Sequence, residues 1–430
     1  MITDKYLVLK EKFDCCLSIL NNQIATIKLF LLNYGISIDG IKLAESISEY
    51  KHKYRVKRQK KTVALVDKQL LDIESDDIPY IPEEIIISIS NHRSIVKVNF
   101  KADSPFHLII ENQMLYVECK ALNLKVPAEL VRKLSADTFT ESGLKVSQFV
   151  QVLGMDRVAI MGYDGCDEWY KKKQCLFCDS NPSRKGECSG RPSLNTLHTD
   201  FENNISKWLV TYKQYIKNSK EAFSEFLKQN QISPHFHFLI LAGNLSDNHL
   251  EWEYVLQLAS ALNEVKSLKS VDSYLNLIPP LDNSFLQKAK VTGFNKLIFN
   301  LEVFHEHRFK AVCPGKHSII PYKTYLQRME EAVSIFGEGN IISGFVLGAQ
   351  PVEELKEGAI YLTEKGVTPD FSVFTPKRGT AWEHKAQPDI IEVAEFSAFL
   401  SGILKQKGYK SLYCSLSSRS SILNELNDNE

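Results

Sequence analysis

Three thiols carry the most chemistry in this chain. Cys166, Cys175 and Cys178 fall in the run Gly165-Cys166-Asp-Glu-Trp-Tyr-Lys-Lys-Lys-Gln-Cys175-Leu-Phe-Cys178, a Cys-x8-Cys-x2-Cys spacing. The run follows an apolar segment, Arg157 to Met161, that ends in a Gly-rich turn. A strand that stops at such a turn and then offers three cysteines can hold a metal centre. A cube of four irons held by three thiolates keeps one iron open for another ligand. A structural zinc site needs a fourth ligand, for which Cys188 or His198 is available in sequence.

A second group, His305, His307 and Cys313, follows another apolar run and is a candidate for substrate contact. In that run Asn300 and Glu302 alternate with Leu301, so a strand here points both to one face. Buried polar side chains on such a face need partners, and a ligand supplies them as readily as an ion pair does. Arg308 offers a fork for a carboxylate.

The elements that must position these residues alternate. Strands are expected at Arg157–Met161, Phe236–Ala242, Tyr274–Ile278, Leu297–Val303, Ile341–Leu347 and Asp370–Phe374, with helical patterns between them. Six β–α units in series imply a parallel sheet, and right-handed crossovers curl it towards a barrel. Ligand-facing residues then lie at the C-terminal ends of the strands. The expected fold is α/β: a partial (β/α)6 TIM-like barrel over 151–385, an N-terminal α+β accessory domain over 1–150, and a C-terminal helical extension over 386–430. Within the first part, helical patterning covers Phe13 to Leu32. Ile95–Phe100 and Phe106–Cys119 read as a hairpin around Lys101 to Pro105. The last dozen residues are expected to be loosely ordered.

With these residues in place, residues 150 to 385 resemble the radical S-adenosylmethionine superfamily. There, three cysteines follow the first barrel strand, with an aromatic residue before the third, as Phe177 precedes Cys178. The usual spacing is Cys-x3-Cys-x2-Cys, from which this chain departs. The resemblance implies that Cys166, Cys175 and Cys178 hold a 4Fe-4S cluster and that S-adenosylmethionine binds its open iron. It implies that Ala242, Gly243 and Asn244, after the second strand, approach the methionine amino group, though the usual Gly-Gly-Glu is missing. It gives Asn300 and Glu302 contacts to the ribose or methionine, and Gly344, in the fifth strand, room for adenine. Pro376 to Thr380 is similar to the Pro-x-x-Gly-Thr run of the biotin synthase-like subgroup.

The implied activity is reductive cleavage of the sulfonium to a 5′-deoxyadenosyl radical, which takes hydrogen from a small biosynthetic metabolite or amino acid. Flavodoxin or ferredoxin is the implied electron donor, with Lys171 to Lys173 as a candidate docking patch. A non-catalytic zinc module and a radical enzyme acting on RNA are the alternatives.

The bulk numbers narrow the field. The 430 residues carry 52 Lys+Arg and 52 Asp+Glu, which argues against a nucleic acid or an anionic membrane as partner. The basic run Lys51 to Lys61 reads as a solvated helix face or linker. No run is long and apolar enough to span a membrane, and no signal peptide is visible. Nine cysteines without a secretory signal read as reduced thiols or ligands, so the expected location is the cytoplasm.

Overall fold

A computed structural model describes residues 2–37, 82–101, 103–132, 134, 138–180, 205–230, 236–377, 379–412 and 416–427. The basic run 51–61, Cys188, His198, Arg378 and Cys414 lie outside them. The chain divides into two compact units, Met1–Lys133 with Ala386–Glu430, and Leu134–Lys385. The expected boundary near 150 therefore falls earlier. The C-terminal extension is part of the first unit and not a separate tail.

The first unit opens with α1 (Ile2–Leu20) and α2 (Gln23–Tyr34) where one helical pattern was expected. Asn21 breaks it with φ +46°, and the Asn22 side chain caps α2 by accepting from Ala25 N at 3.0 Å. Strands β1 (Glu84–Ile89), β2 (His92–Lys97), β3 (His107–Glu111), β4 (Met114–Cys119) and β5 (Leu124–Leu130) form an antiparallel sheet in the order β2-β1-β5-β4-β3.

The hairpin expected around 101–105 does not form, because β2 and β3 are opposite edges of this sheet. Instead β2 pairs with β1, and β3 with β4. Asn112 and Gln113, at φ +49° and +65°, make the β3–β4 turn. Two successive left-handed residues match the twist that a two-residue hairpin needs.

The second unit is built on β6 (Val150–Leu153), β7 (Arg157–Met161), β8 (His237–Leu241), β9 (Asp272–Asn276), β10 (Lys296–Ile298), β11 (Ile341–Leu347) and β12 (Val367–Val373). Its strands lie in sequence order, with β7 to β12 parallel and β6 antiparallel at one edge. This is an α/β sheet carrying the six expected strands in their expected series. Burial along β8 and β11 is nearly continuous, as a parallel sheet covered on both faces requires.

The helices between the strands are α3 (Ile205–Gln229), α4 (Asn248–Asn263), α5 (Ser284–Thr292), α6 (Glu306–Val312), α7 (Pro314–Ile319), α8 (Tyr322–Phe336) and α9 (Val352–Glu364). In α8 the buried residues are Tyr322, Tyr325, Met329, Ala332 and Phe336, a 3-4-3-4 spacing that puts one stripe on the sheet.

At the N-terminal ends of the strands a polar network closes the sheet. Asp272 accepts from His237 Nδ1 at 2.9 Å, lies 3.0 Å from Lys296 Nζ and holds the Tyr274 hydroxyl. Burial opposes its ionised form, but these bonds win and keep its carboxyl well below the usual range.

The chain then returns to the first unit through α10 (Ile390–Lys407) and α11 (Leu423–Asn427). Of the final dozen residues expected to be loose, those described, to Asn427, are packed: Ile422, Leu423 and Leu426 are buried. Lys28 Nζ donates to Glu425 Oε1 at 2.7 Å and to Ser417 Oγ at 3.0 Å, so α11 is tied to α2 by a buried charge pair.

Candidate metal centre and ligand cleft

The C-terminal ends of the parallel strands open into a cleft of about 730 Å³, solvent at its mouth included. Cys166, Cys175 and Cys178 all line it. Cys166 follows β7 and begins a short helical turn, Asp167–Trp169. Cys175 and Cys178 sit on a tight turn closed by Cys178 N donating to Cys175 O at 3.1 Å.

The loop between these cysteines is held from three sides. Asp167 N donates to Asn244 O at 2.8 Å, which ties it to the turn after β8. Leu176 N donates to Val312 O at 3.0 Å, at the end of α6. Trp382 N donates to Leu176 O at 3.1 Å, and the Phe177 and Trp382 rings lie 6.3 Å apart. Lys377 Nζ, beyond β12, reaches Asp179 Oδ1 at 3.1 Å. Eight residues intervene between the first two cysteines, yet the loop is anchored at both ends.

Burial, with the neighbouring thiols adding to it, pushes the Cys166 thiol well above its ordinary range and raises that of Cys178. For Cys175 the hydrogen bond with the Cys313 thiol is the larger cause and burial the next. The cluster-free chain therefore holds neutral thiols, and loading a metal centre must release protons.

Among the described residues no group of three or more His, Cys, Asp or Glu side chains is placed to hold one metal ion. Three thiolates that each bind a different iron stand farther apart than ligands of a single ion. Cys188 and His198, the candidate fourth zinc ligands, lie outside the described residues, and three thiols on one cleft are the donor set that a three-thiolate cluster uses.

Ala242, Gly243, Asn244, Asn300 and Glu302 line the same cleft. A Cβ at Gly243 would stand 1.9 Å from Gly165 O, so only glycine lets the β8 turn approach the cysteine loop this closely. Asn300 and Glu302 do share the cleft, but not on a regular strand: β10 stops at Ile298, and Glu302 takes φ +70°. Glu302 rejoins β11 through its backbone, with Glu302 N donating to Gly344 O at 2.9 Å. A non-glycine residue held at positive φ costs on the order of 1 kcal/mol or more and marks a place where geometry is imposed.

Two residues expected at the cofactor do not line the cleft. The Arg308 guanidinium is bound by both oxygens of Glu354, each at 2.9 Å, and is taken up by that pair. Gly344 sits behind Asn300: its N donates to Asn300 Oδ1 at 3.0 Å, and a Cβ there would meet that atom at 2.8 Å. Its lack of a side chain seats Asn300.

His305 and His307 stack on one another with centroids 5.9 Å apart, and His305 Nε2 lies 3.2 Å from Glu357. Neither is in the cleft lining. Cys313 is fully buried behind it, against Cys175.

The sequence reading missed Glu168, Gln174, Asn276 and Lys316, all of which line the cleft. Asn276 ends β9 and was findable by the strand-end rule. Lys316 has no such signal. Its Nζ donates to Glu302 Oε1 at 2.6 Å and to Asn300 O at 2.9 Å. Burial works against its charge, but Glu302 reverses this and raises its pKa well above the ordinary value.

Three buried polar atoms of the cysteine loop have no hydrogen-bond partner: Glu168 Oε2, Trp169 Nε1 and Gln174 Oε1. Unpaired buried polar atoms beside three thiols are what a site built for a further group would leave.

No family model matches the chain. A curated protein, bacteriochlorophyllide c C-7(1)-hydroxylase of Chlorobaculum limnaeum, is 36% identical over 124 residues, 28% of this chain and 31% of that protein. Coproporphyrinogen III oxidase of Escherichia coli, described as a radical SAM enzyme, is similar in structure with a TM-score of 0.40 and 13% identity, over 64% of this chain and 59% of that one. Methylornithine synthase gives a TM-score of 0.40 and 15% identity, over 60% and 63% of the two chains. A maturase of the FeFe hydrogenase gives 0.38 and 14%, over 63% and 54%. The curated match thus spans under a third of that relative. None of these comparisons singles out the biotin synthase-like subgroup.

Proposed function

We propose that this chain is a radical S-adenosylmethionine enzyme, with a 4Fe-4S cluster on Cys166, Cys175 and Cys178 and S-adenosylmethionine in the adjoining cleft. The observation that carries the reading is the convergence of those three thiols with Ala242 to Asn244, Asn300 and Glu302 on one cleft at the strand ends. When bound, the cluster and S-adenosylmethionine supply an electron and a sulfonium whose cleavage yields the 5′-deoxyadenosyl radical.

The chain's own part is to bind, orient and shield. Gly243 lets the β8 turn meet the cysteine loop. Lys316 fixes Asn300 and Glu302 at the cleft wall. Phe177 and Trp382 pack beside the Cys175–Cys178 turn and limit solvent there.

The finer reading is a (β/α)6 partial barrel acting on a small biosynthetic metabolite or amino acid in the cytoplasm. A flavodoxin or ferredoxin is reduced elsewhere and docks at Lys171 to Lys173, of which Lys171 is 45% exposed along its side chain. The first unit is an accessory domain. Among the described residues no helix is long and apolar enough to cross a membrane. The zinc alternative is not favoured.

Anaerobic reconstitution tests the proposal. A brown protein with about four irons per chain that turns S-adenosylmethionine over to 5′-deoxyadenosine is expected. Each of Cys166→Ala, Cys175→Ala and Cys178→Ala should lose both. A colourless protein carrying stoichiometric zinc would overturn it.

A further inference from the structure

Each of the three cleft thiols is met by a donor, and one of these donors is of a different kind. The backbone amides of Asn244 and Glu168 bond the Cys166 sulfur. Ser180 N donates to Cys178 Sγ at 3.4 Å. Cys175 is met by a side chain, the Cys313 thiol. Cys313 is fully buried, so its S–H is out of reach of bulk solvent.

Backbone geometry sets this pair. Leu176 N donates to Val312 O at 3.0 Å, and Gly315 N donates to Lys173 O at 2.8 Å. Residues 173–176 therefore run antiparallel to 312–315, and the two bonds bracket Cys175 and Cys313 and hold them opposite one another. Cys313 is itself fixed on both sides. Its N donates to Phe309 O at 2.8 Å at the end of α6, and its O accepts from His317 N at 3.0 Å in α7. Pro314, which follows it, stiffens the junction further.

The cation nearest in the cleft wall is committed elsewhere, since Lys316 Nζ donates to Glu302 Oε1 at 2.6 Å and to Asn300 O at 2.9 Å. A thiolate bound to iron has no proton to give, so in the loaded protein Cys313 is the donor of the pair. An S–H is a weak donor, but a hydrogen bond strengthens in a buried site and towards an ionic acceptor. Donation to a ligating sulfur draws negative charge from it and so favours the state that holds the extra electron. Hydrogen bonds to the sulfurs are among the factors that set the potential of such a cluster.

We infer that Cys313 is a positioning residue for the metal centre: its thiol donates to the Cys175 thiolate and raises the reduction potential of the cluster that Cys175 helps to hold. This rests on the reading of the cleft given above. Cys313 is not in the cleft lining, so it acts through Cys175 and not on a ligand in the cleft.

The test is a redox titration of the reconstituted protein without S-adenosylmethionine, followed by the electron paramagnetic resonance of the reduced cluster. Cys313→Ala removes the donor. It should cut the reduced-to-oxidised ratio at a fixed poise about tenfold, which is a midpoint about 59 mV more negative for a one-electron couple. Cys313→Ser keeps a donor at the same place and should return the midpoint most of the way to that of the unaltered protein. Iron content should be the same in all three. If Cys313→Ala folds poorly, Cys313→Val fills the site without a donor and should show the same shift.

A midpoint that does not move in the donor-free variant, or that moves equally in it and in Cys313→Ser, would overturn the assignment and leave the cluster reading standing. If the unaltered protein takes up no cluster, the reading of the cleft fails and this inference falls with it.

Discussion

Glu251 shows how a single side chain sets the conditions under which the site holds together. It is fully buried under the β8 turn, where Leu245 N donates to its Oε1 at 3.3 Å and the Tyr163 hydroxyl is bonded to it. Tyr163 also donates to Gly243 O at 2.5 Å, so the pair supports the turn that meets the cysteines. Burial pushes the Glu251 carboxyl up to about 8 from 4.5. Between those values the folded chain keeps a proton that the unfolded chain has lost, so stability falls as pH rises through that window. The slope amounts to as much as about 1.4 kcal/mol per pH unit. Glu251→Gln, neutral at every pH, should flatten it. Urea unfolding at pH 5.5, 6.5 and 7.5 checks this, and an unchanged slope in the variant would assign the dependence to other groups. At this scale the cysteine run and the alternation of Asn300 with Glu302 were readable from type and spacing, the 242–244 turn came from the resemblance, and the structure adds that all of them line one cleft. Glu168 and Lys316 were not, because burial and the absence or presence of a partner depend on residues far apart in sequence.

Among the elements, the junction of the β8 turn with the cysteine loop has the least tolerance. Gly243→Ala places a methyl 1.9 Å from Gly165 O and 3.0 Å from the Cys166 Cα. The backbone must move, at a cost of about 1–3 kcal/mol for overpacking. The expected outcome is a folded chain with lower iron content after reconstitution and a lowered melting temperature. Full cluster loading in this variant would show that the two loops need not meet.

The strands themselves were legible because β7, β8, β11 and β12 are apolar runs bounded by turns. The β10 region was read too long. Its alternation of Asn300 and Glu302 suggested a regular strand, but the pairing with β11 is interrupted between Phe299 and Glu302, where Glu302 takes a positive φ and Lys316 binds it and Asn300 O. The false hairpin around 101–105 failed for a different reason. A Pro-bearing link between two strand-like runs does not say whether they pair with each other, and the true turn at Asn112-Gln113 lay inside one of them.

The whole molecule is two units, of which the first is made from both ends of the chain. The buried pair of Lys28 with Glu425, whose side chains are 0% and 4% exposed, joins its two segments. Glu425→Ala leaves a lysine buried without its counter-charge, which costs about 3–5 kcal/mol. Denaturant unfolding followed with separate probes in each unit should show the first unit shifted to lower urea and the second unmoved. A shift of both together would mean that they unfold as one. Pattern reading could not find this closure. It treated the polar end of the chain as loose, because nothing in Ser-, Asn- and Glu-rich sequence announces that a glutamate there answers a lysine nearly four hundred positions earlier.

That closure fixes an order of events during synthesis. While the ribosome is still making Leu134–Lys385, the helices and sheet of the first unit lack α10 and α11, and Lys28 lacks its glutamate. The middle of the chain can finish folding while the opening segment waits. The opening segment is completed only when Glu425 leaves the exit tunnel, so a nascent chain stalled before it carries a finished sheet for the thiols and an unfinished first unit.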